Sequence, residues 1–198
     1  MHILVGRHHK ALRQKAAEVS QKELKSATVK EVIRDMKKAL RAEEDGVAIA
    51  APQVGVPLRI FVVSGKVFAL KRRGGGDTLP EEGLGDPEKV KHAHKDLVFV
   101  NPRIIKTSKD SDWMVEGCLS LRWLYGSVER KKKVTIEAVD EKGEKFTRGA
   151  SGLLAQIFQH EIDHLEGALF IDKARDVEDI PPELQKAEEE RRAKSHAK

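Results

Sequence analysis

The most restrictive stretch of this chain is "LLAQIFQHEIDHL", residues 153 to 165, which is apolar on nearly every side and yet carries two histidines and two acids. Leu153, Leu154, Ile157, Phe158, Ile162 and Leu165 do not confine themselves to one stripe of a helical repeat, and a helix of that kind is buried over most of its circumference. Whatever fold forms must therefore pack other elements around this segment. Interior imidazoles and carboxylates are costly unless they hold a metal or a dense set of hydrogen bonds. Residues four apart share a helix face, with Cβ atoms roughly 5–6 Å apart, so His160 and His164 can grip one ion between them. Glu161 points about a quarter-turn away, where it suits a proton acceptor beside the ion rather than a ligand.

A hydrolytic metal site takes three protein ligands and leaves a further position open for water. The third ligand is either a downstream Glu or His, as in many H-E-x-x-H peptidases, or Cys118, the one cysteine of the chain. Glu166 follows His164 too closely to share its face. Cys118 sits in "VEGCLSL" (115 to 121), next to Gly117 and close to Ser120. That setting suits a ligand-bearing loop more than core filler, although a single buried thiol taken alone is more often inert. His8, His9, His92, His94 and His196 lie among charges or in loop-like sequence and read as surface residues.

The rest of the chain mixes both periodicities. Residues 28 to 44, "TVKEVIRDMKKALRAEE", place Val29, Val32, Ile33, Met36 and Leu40 on one helical face, with Thr28 and Glu31 in the form of a capping box. "GVAIAAPQVGVP" (46 to 57) is small and uncharged, as a buried backbone segment would be. "LRIFVV" (58 to 63) and "LVFVNPRII" (97 to 105) read as strands, and "KVTIEAVDEKGEKFTRGA" (133 to 150) as two strands about a glycine turn. Ser151 is the expected N-cap of the apolar helix and Gly167 its stop signal. Residues 71 to 96, with three consecutive glycines, read as a loop insertion, and 174 to 198 as a charged C-terminal helix or tail. The order helix, strands, buried helix predicts an α+β fold rather than alternating βαβ units.

A chain of 198 residues fits one domain with a real core. Its net charge of +5 comes from 37 basic residues interleaved with 32 acidic ones, a balance that tolerates polyanionic neighbours without implying recognition of a nucleic-acid sequence. The basic runs "KRR" (71 to 73) and "RKKK" (130 to 133) read as solvated surface. No apolar run approaches the roughly 20 residues needed to span a bilayer, and "MHILVGRHHKALRQ" is too briefly apolar for a signal peptide. The chain is expected to be cytoplasmic.

Three segments, "GVAIAAPQ" (46 to 53), "EGCLS" (116 to 120) and "QHEIDH" (159 to 164), stand in the order and approximate spacing of the signature motifs of peptide deformylases. From about residue 3 to residue 173 the chain resembles that family. The resemblance implies antiparallel sheets wrapped around a central helix that carries H-E-x-x-H. It implies one divalent metal ion per chain, bound by Cys118, His160 and His164, with Fe(II) expected and Zn(II) or Ni(II) able to occupy the same ligands. The implied activity is removal of the formyl group from the N-formylmethionine that begins nascent polypeptides. There a metal-bound hydroxide attacks the formyl carbon, Glu161 serves as general base and acid, and the Gln53 amide and Leu119 backbone N–H receive the oxyanion. Gly46, Val47 and Gly117 would pair with the extended substrate, and Ile157 would line the methionine pocket. By the same resemblance the ribosome is a partner, through the basic surface and the C-terminal tail.

Three departures bear on substrate preference and rate. Ala48 stands where the family's first motif has a second glycine, Arg122 stands where common members have proline, and the 71 to 96 connection is longer than usual. Two rival readings remain at the level of sequence. One is a zinc peptidase on the same helix, indifferent to Cys118. The other is a noncatalytic ribosome-associated module that keeps the fold.

Overall fold

The computed structural model describes residues 4–67 and 95–184. Most of the expected 71 to 96 insertion, the end of the tail, and His92, His94 and His196 lie outside the described residues.

A short helix α1 (Gln21–Leu24) is started by Ser20 in a reciprocal capping box with Glu23, and a long helix α2 (Ala27–Ala42) follows. The cap of α2 is Ser26, not Thr28: the Ser26 backbone is still extended, and its hydroxyl accepts from the Val29 N–H at 3.2 Å. Thr28 already lies inside the first turn and is exposed, while Glu31 pairs with Arg34 instead of reaching back. Val29, Val32, Ile33, Met36 and Leu40 are buried as their spacing predicts.

Five strands form one antiparallel sheet: β1 (Ala48–Ala50), β2 (Ile60–Val63), β3 (Leu97–Thr107), β6 (Lys133–Val139) and β7 (Lys145–Ser151), adjacent in that order. A second antiparallel sheet contains β4 (Ser111–Gly117), β5 (Leu124–Lys131) and β8 (Arg175–Asp179), also adjacent in that order. The segment 46 to 57 is buried as expected, but it splits into the short strand β1 and a single 3-10 turn over Ala51–Val54, closed by Gly55 at φ 79°. Residues 175 to 179, expected within a charged helix or tail, are instead an exposed strand on β5. The backbone partners of β5 outweigh the weak strand preference of "RDVED".

Both faces of the five-stranded sheet are covered, which is why β1 and β2 lack polar alternation. Successive side chains point to opposite faces. Phe61 and Val63 join the cluster under the helix α3 (Gly152–Leu165), whereas Ile60 and Val62 join the cluster under α2. Phe61 stacks on Phe99 at 4.5 Å between centroids, and Phe158 of α3 meets Phe99 edge-on at 5.2 Å. Helix α3 also touches β5, so it is enclosed by both sheets. Ser151 stands at its N-cap position without a side-chain capping bond, and Gly167 follows its end at φ 76°, where a Cβ would lie 2.9 Å from the Arg13 carbonyl.

Candidate active site

The strand β1 ends one sheet and β4 ends the other, so each presents a free edge. Gly46, Val47 and Ala48 line one side of a cavity of about 240 Å³, Val115, Glu116 and Gly117 line the other, and Gln156, Ile157, His160 and Glu161 of α3 contribute between them. Strand β4 stops at Gly117, and the turn that follows, closed by the Leu121 N–H on the Cys118 carbonyl at 3.0 Å, delivers the Cys118 thiol to the helix. Cys118 Sγ lies 3.3 Å from His164 Nε2, and one donor atom each from Cys118, His160 and His164 fall within 4.8 Å of one another.

His160 is oriented by a buried carboxylate. Its Nδ1 lies 2.9 Å from Glu116 Oε2, which leaves Nε2 free to face an ion. Arg130 in turn holds Glu116 by two bonds of 2.7 and 2.9 Å and reaches Asp163 at 2.7 Å, and Lys173 closes the chain on Asp163 at 2.7 Å. A carboxylate on the far nitrogen of a ligating histidine fixes its ring and raises its donor strength. Burial alone would push the Glu116 carboxyl up, but hydrogen bonds from Arg130 and His160 outweigh it and hold the group at about 2. Burial lowers His164, with His160 adding to the effect; in His160 the same burial is overcome by its bonds with Cys118 and Glu116, which hold it above the ordinary imidazole range.

Burial pushes Glu161 up to about 7, its neighbour His160 opposing the shift. Its Oε2 and the Nδ1 of His164 are buried without a hydrogen-bond partner among the described residues. A cation beside Glu161 would favour the carboxylate. One thiol sulfur and two imidazole nitrogens, converging within a few ångströms and leaving one side of the cluster on the cavity, fit a four-coordinate divalent ion with one open position.

Gln53 is fixed by its oxygen, which accepts the Ala50 N–H at 2.8 Å. Its amide nitrogen therefore faces the thiol, 3.4 Å from both Cys118 Sγ and Ser120 Oγ. Both contacts are donated by the amide and hold it against the thiol. The Leu119 backbone N–H makes no hydrogen bond among the described residues, and Leu119 lines the same cavity. The expected contributors Gly46, Val47, Gly117 and Ile157 line it too, although the Val47 carbonyl is already taken by the Ser64 N–H at 2.9 Å. Arg122 spans the cavity mouth, bonding Asp45 at 2.7 and 3.0 Å and Glu43 at 2.7 Å, and so ties the loop after β4 to the loop before β1.

The sequence reading missed Glu116 and Arg130 as functional residues. Arg130 belongs to a run whose sequence reads as solvated surface, yet its side chain is 4% exposed. Its strand neighbour Val128 is buried on the same side, so alternation along 128 to 130 is the signal that would have placed the guanidinium indoors. Glu166, set aside as a ligand, pairs with Arg59 at 2.6 Å.

A family model described as polypeptide deformylase matches residues 1–179. "Peptide deformylase 2" of Clostridium acetobutylicum is 38% identical over 144 residues, covering 73% of this chain and 77% of that protein. "Peptide deformylase 1A, chloroplastic/mitochondrial" of Arabidopsis thaliana is 37% identical over 163 residues, 82% of this chain and 57% of that protein. The crystal structure of a class I type b peptide deformylase from Acinetobacter baumannii with Met-Ala-Ser bound superposes at a TM-score of 0.67 with 30% identity, covering 86% of this chain and 96% of that one. Neither the peptidase nor the noncatalytic reading is favoured by these relatives. On its fold, its cavity and these matches, the chain belongs to the peptide deformylase family, whose members remove N-formyl groups from nascent peptides.

Proposed function

We propose that this cavity hydrolyses the formamide of N-formylmethionyl peptides through a divalent ion held by Cys118 Sγ, His160 Nε2 and His164 Nε2, with Fe(II) the working metal and Zn(II) or Ni(II) able to replace it. The carrying observation is that Gln53, Leu119 and Glu161 line the same cavity as Cys118 and His160, with His164 completing the donor cluster and the Gln53 amide 3.4 Å from the thiol. The ion supplies Lewis acidity and lowers the pKa of a water toward neutrality. Glu161 takes the proton of the attacking water and delivers it to the methionine nitrogen as the C–N bond breaks, releasing formate and the free amine. Proton transfer of this kind contributes about 10²–10⁴ in rate. The Gln53 amide and the Leu119 N–H donate to the oxygen that becomes negative, and losing one such donor typically costs about 10²–10³.

The peptide lies extended between β1 and β4, pairing with the Gly46 carbonyl, whose N–H is already given to Glu43, and with Gly117, while Val47 flanks it and its methionine side chain packs toward Ile157. A hard-to-protect thiolate ligand favours a reducing compartment, consistent with a cytoplasmic protein. Among the described residues no helix is long and apolar enough to cross a membrane. We extend the proposal to residues 1 to 173 as the catalytic unit and to a ribosome contact through the basic surface and tail. Deleting residues 182 to 198 should weaken ribosome affinity, and unchanged affinity would remove that part.

Formate release from N-formyl-Met-Ala-Ser by protein loaded anaerobically with Fe(II) tests the reaction. Wild type should release formate, Glu161→Ala should lose about 10²–10⁴ of its rate, and Cys118→Ala should lose activity together with metal. A Cys118→Ala protein as active as wild type would return the peptidase reading.

A further inference from the structure

Strand β4 offers seven residues of free edge beside the cavity, but two side chains occupy parts of it. The Gln156 amide nitrogen of α3 donates to the Val115 carbonyl at 2.9 Å. The Asp112 carboxylate accepts the Trp113 N–H at 3.0 Å. Both bonds fall on odd-numbered residues, and in an antiparallel strand the N–H and C=O of one residue point to the same side. Residues 113, 115 and 117 thus turn their backbone groups away from β5, opposite Glu129, Ser127 and Tyr125, and toward the free edge. Gly117 is the edge residue next to Cys118, and no side chain caps it among the described hydrogen bonds.

We infer that Gln156 is a specificity-determining residue that ends backbone recognition of the substrate after Gly117, so that the enzyme reads only the first residues of the peptide. The inference rests on the deformylase reading of the cavity. With the formyl group at Cys118, the chain runs back along β4, and every second peptide residue meets an edge-facing residue of the strand. The peptide residue opposite Gly117 finds an open N–H and C=O. Two residues further on, the next edge carbonyl is covered by the Gln156 amide, and two beyond that the N–H is covered by Asp112. Strand addition gains its affinity from such main-chain bonds, and the caps deny it to downstream residues. A protein acting on many different nascent chains gains from that arrangement, because sequence and structure beyond the first residues then carry no weight. The caps also protect an edge whose Val115 is 70% exposed and whose Trp113 is 43% exposed from pairing with other chains.

The test compares kcat/KM for N-formyl-Met-Ala-Ser with that for N-formyl-Met-Ala-Ser-Ala-Ala-Ala in Fe(II)-loaded wild type and Gln156→Met, which keeps bulk but removes the donor. Wild type should treat the two peptides alike within about twofold. In Gln156→Met the kcat/KM of the longer peptide relative to that of the shorter should rise about fivefold, the worth of one net hydrogen bond, carried by KM. Adding Asp112→Ala should raise kcat/KM again only for peptides long enough to reach Trp113, and only when Gln156 has been replaced. An unchanged long-to-short ratio in Gln156→Met, or a wild type that already gains with length, overturns the inference. No turnover of either peptide by metal-loaded wild type would instead overturn the reaction itself. Equal loss for both peptides would show that Gln156 only shapes the cavity.

Discussion

At the residue scale, the site depends on buried charges that are paired rather than removed. Glu116 is the pivot: it orients His160 on one side and neutralises Arg130 on the other, at side-chain exposures of 2% and 4% for the carboxylate and guanidinium. Its folded pKa of about 2 lies below that of an ordinary glutamate, so its contribution to stability is present above the ordinary carboxylate range and is lost as pH falls toward 2. A shift of this size corresponds to about 3 kcal/mol at most. Removing one partner of a buried ion pair leaves the other charge uncompensated. Glu116→Gln should therefore destabilise the metal-free protein near neutral pH by about 3–5 kcal/mol, with the gap to wild type narrowing as pH falls from 5 toward 2. Denaturant midpoints measured across that range decide it; a gap independent of pH would mean that Glu116 acts by shape alone.

At the element scale, the cap of α2 shows how local context outweighs a motif. "Thr28…Glu31" and "Ser20…Glu23" have the same form, yet only the second closes as a capping box, because Ser20 sits where the backbone is extended and Thr28 does not. Ser26→Ala should cost about 1 kcal/mol in denaturant unfolding, and Thr28→Ala only a small fraction of that. Equal costs would put the helix start two residues later. The strands β4 and β5 were not legible in the sequence for a related reason. Their alternation is inverted at Trp113 and Val115, whose apolar side chains are exposed, while the charged Glu116 and Arg130 are inside. The strands under α2 and α3 were legible because their apolar runs report burial on both faces.

At the scale of the whole molecule, the three candidate ligands come from two parts of the chain that are also tied together by the Glu116–His160, Gln156–Val115 and Arg130–Asp163 bonds. Cys118 follows β4 of the small sheet, whereas His160 and His164 ride on α3 under the large sheet. An ion bound only by the folded protein stabilises it by about 4 kcal/mol when free metal exceeds Kd a thousandfold, and for a chain of this size each kcal/mol shifts Tm by roughly 2–4 °C. Chelation should lower Tm by on the order of 10 °C, and Cys118→Ala should lose most of that difference. A Tm unmoved by chelation would mean that the three donors do not bind metal in the folded protein.

The sequence by itself determined whatever depends on neighbours within a few turns: the burial of α3, the shared face of His160 and His164, the apolar face of α2, and the runs that became β2, β3 and β6. Those follow from helical and strand periodicity, which is local. Residue chemistry alone leaves the third ligand open, and only resemblance to a family points to Cys118. Only the tertiary structure brought Cys118 to His164 across 46 residues, set Glu116 against His160, and decided which nitrogen of that ring faces the site. It also left β1 and β4 as facing edges, with Gln156 and Asp112 trimming one of them. Such contacts depend on how sheets pack, and packing is fixed by the sum of many weak long-range interactions that no short stretch of sequence encodes.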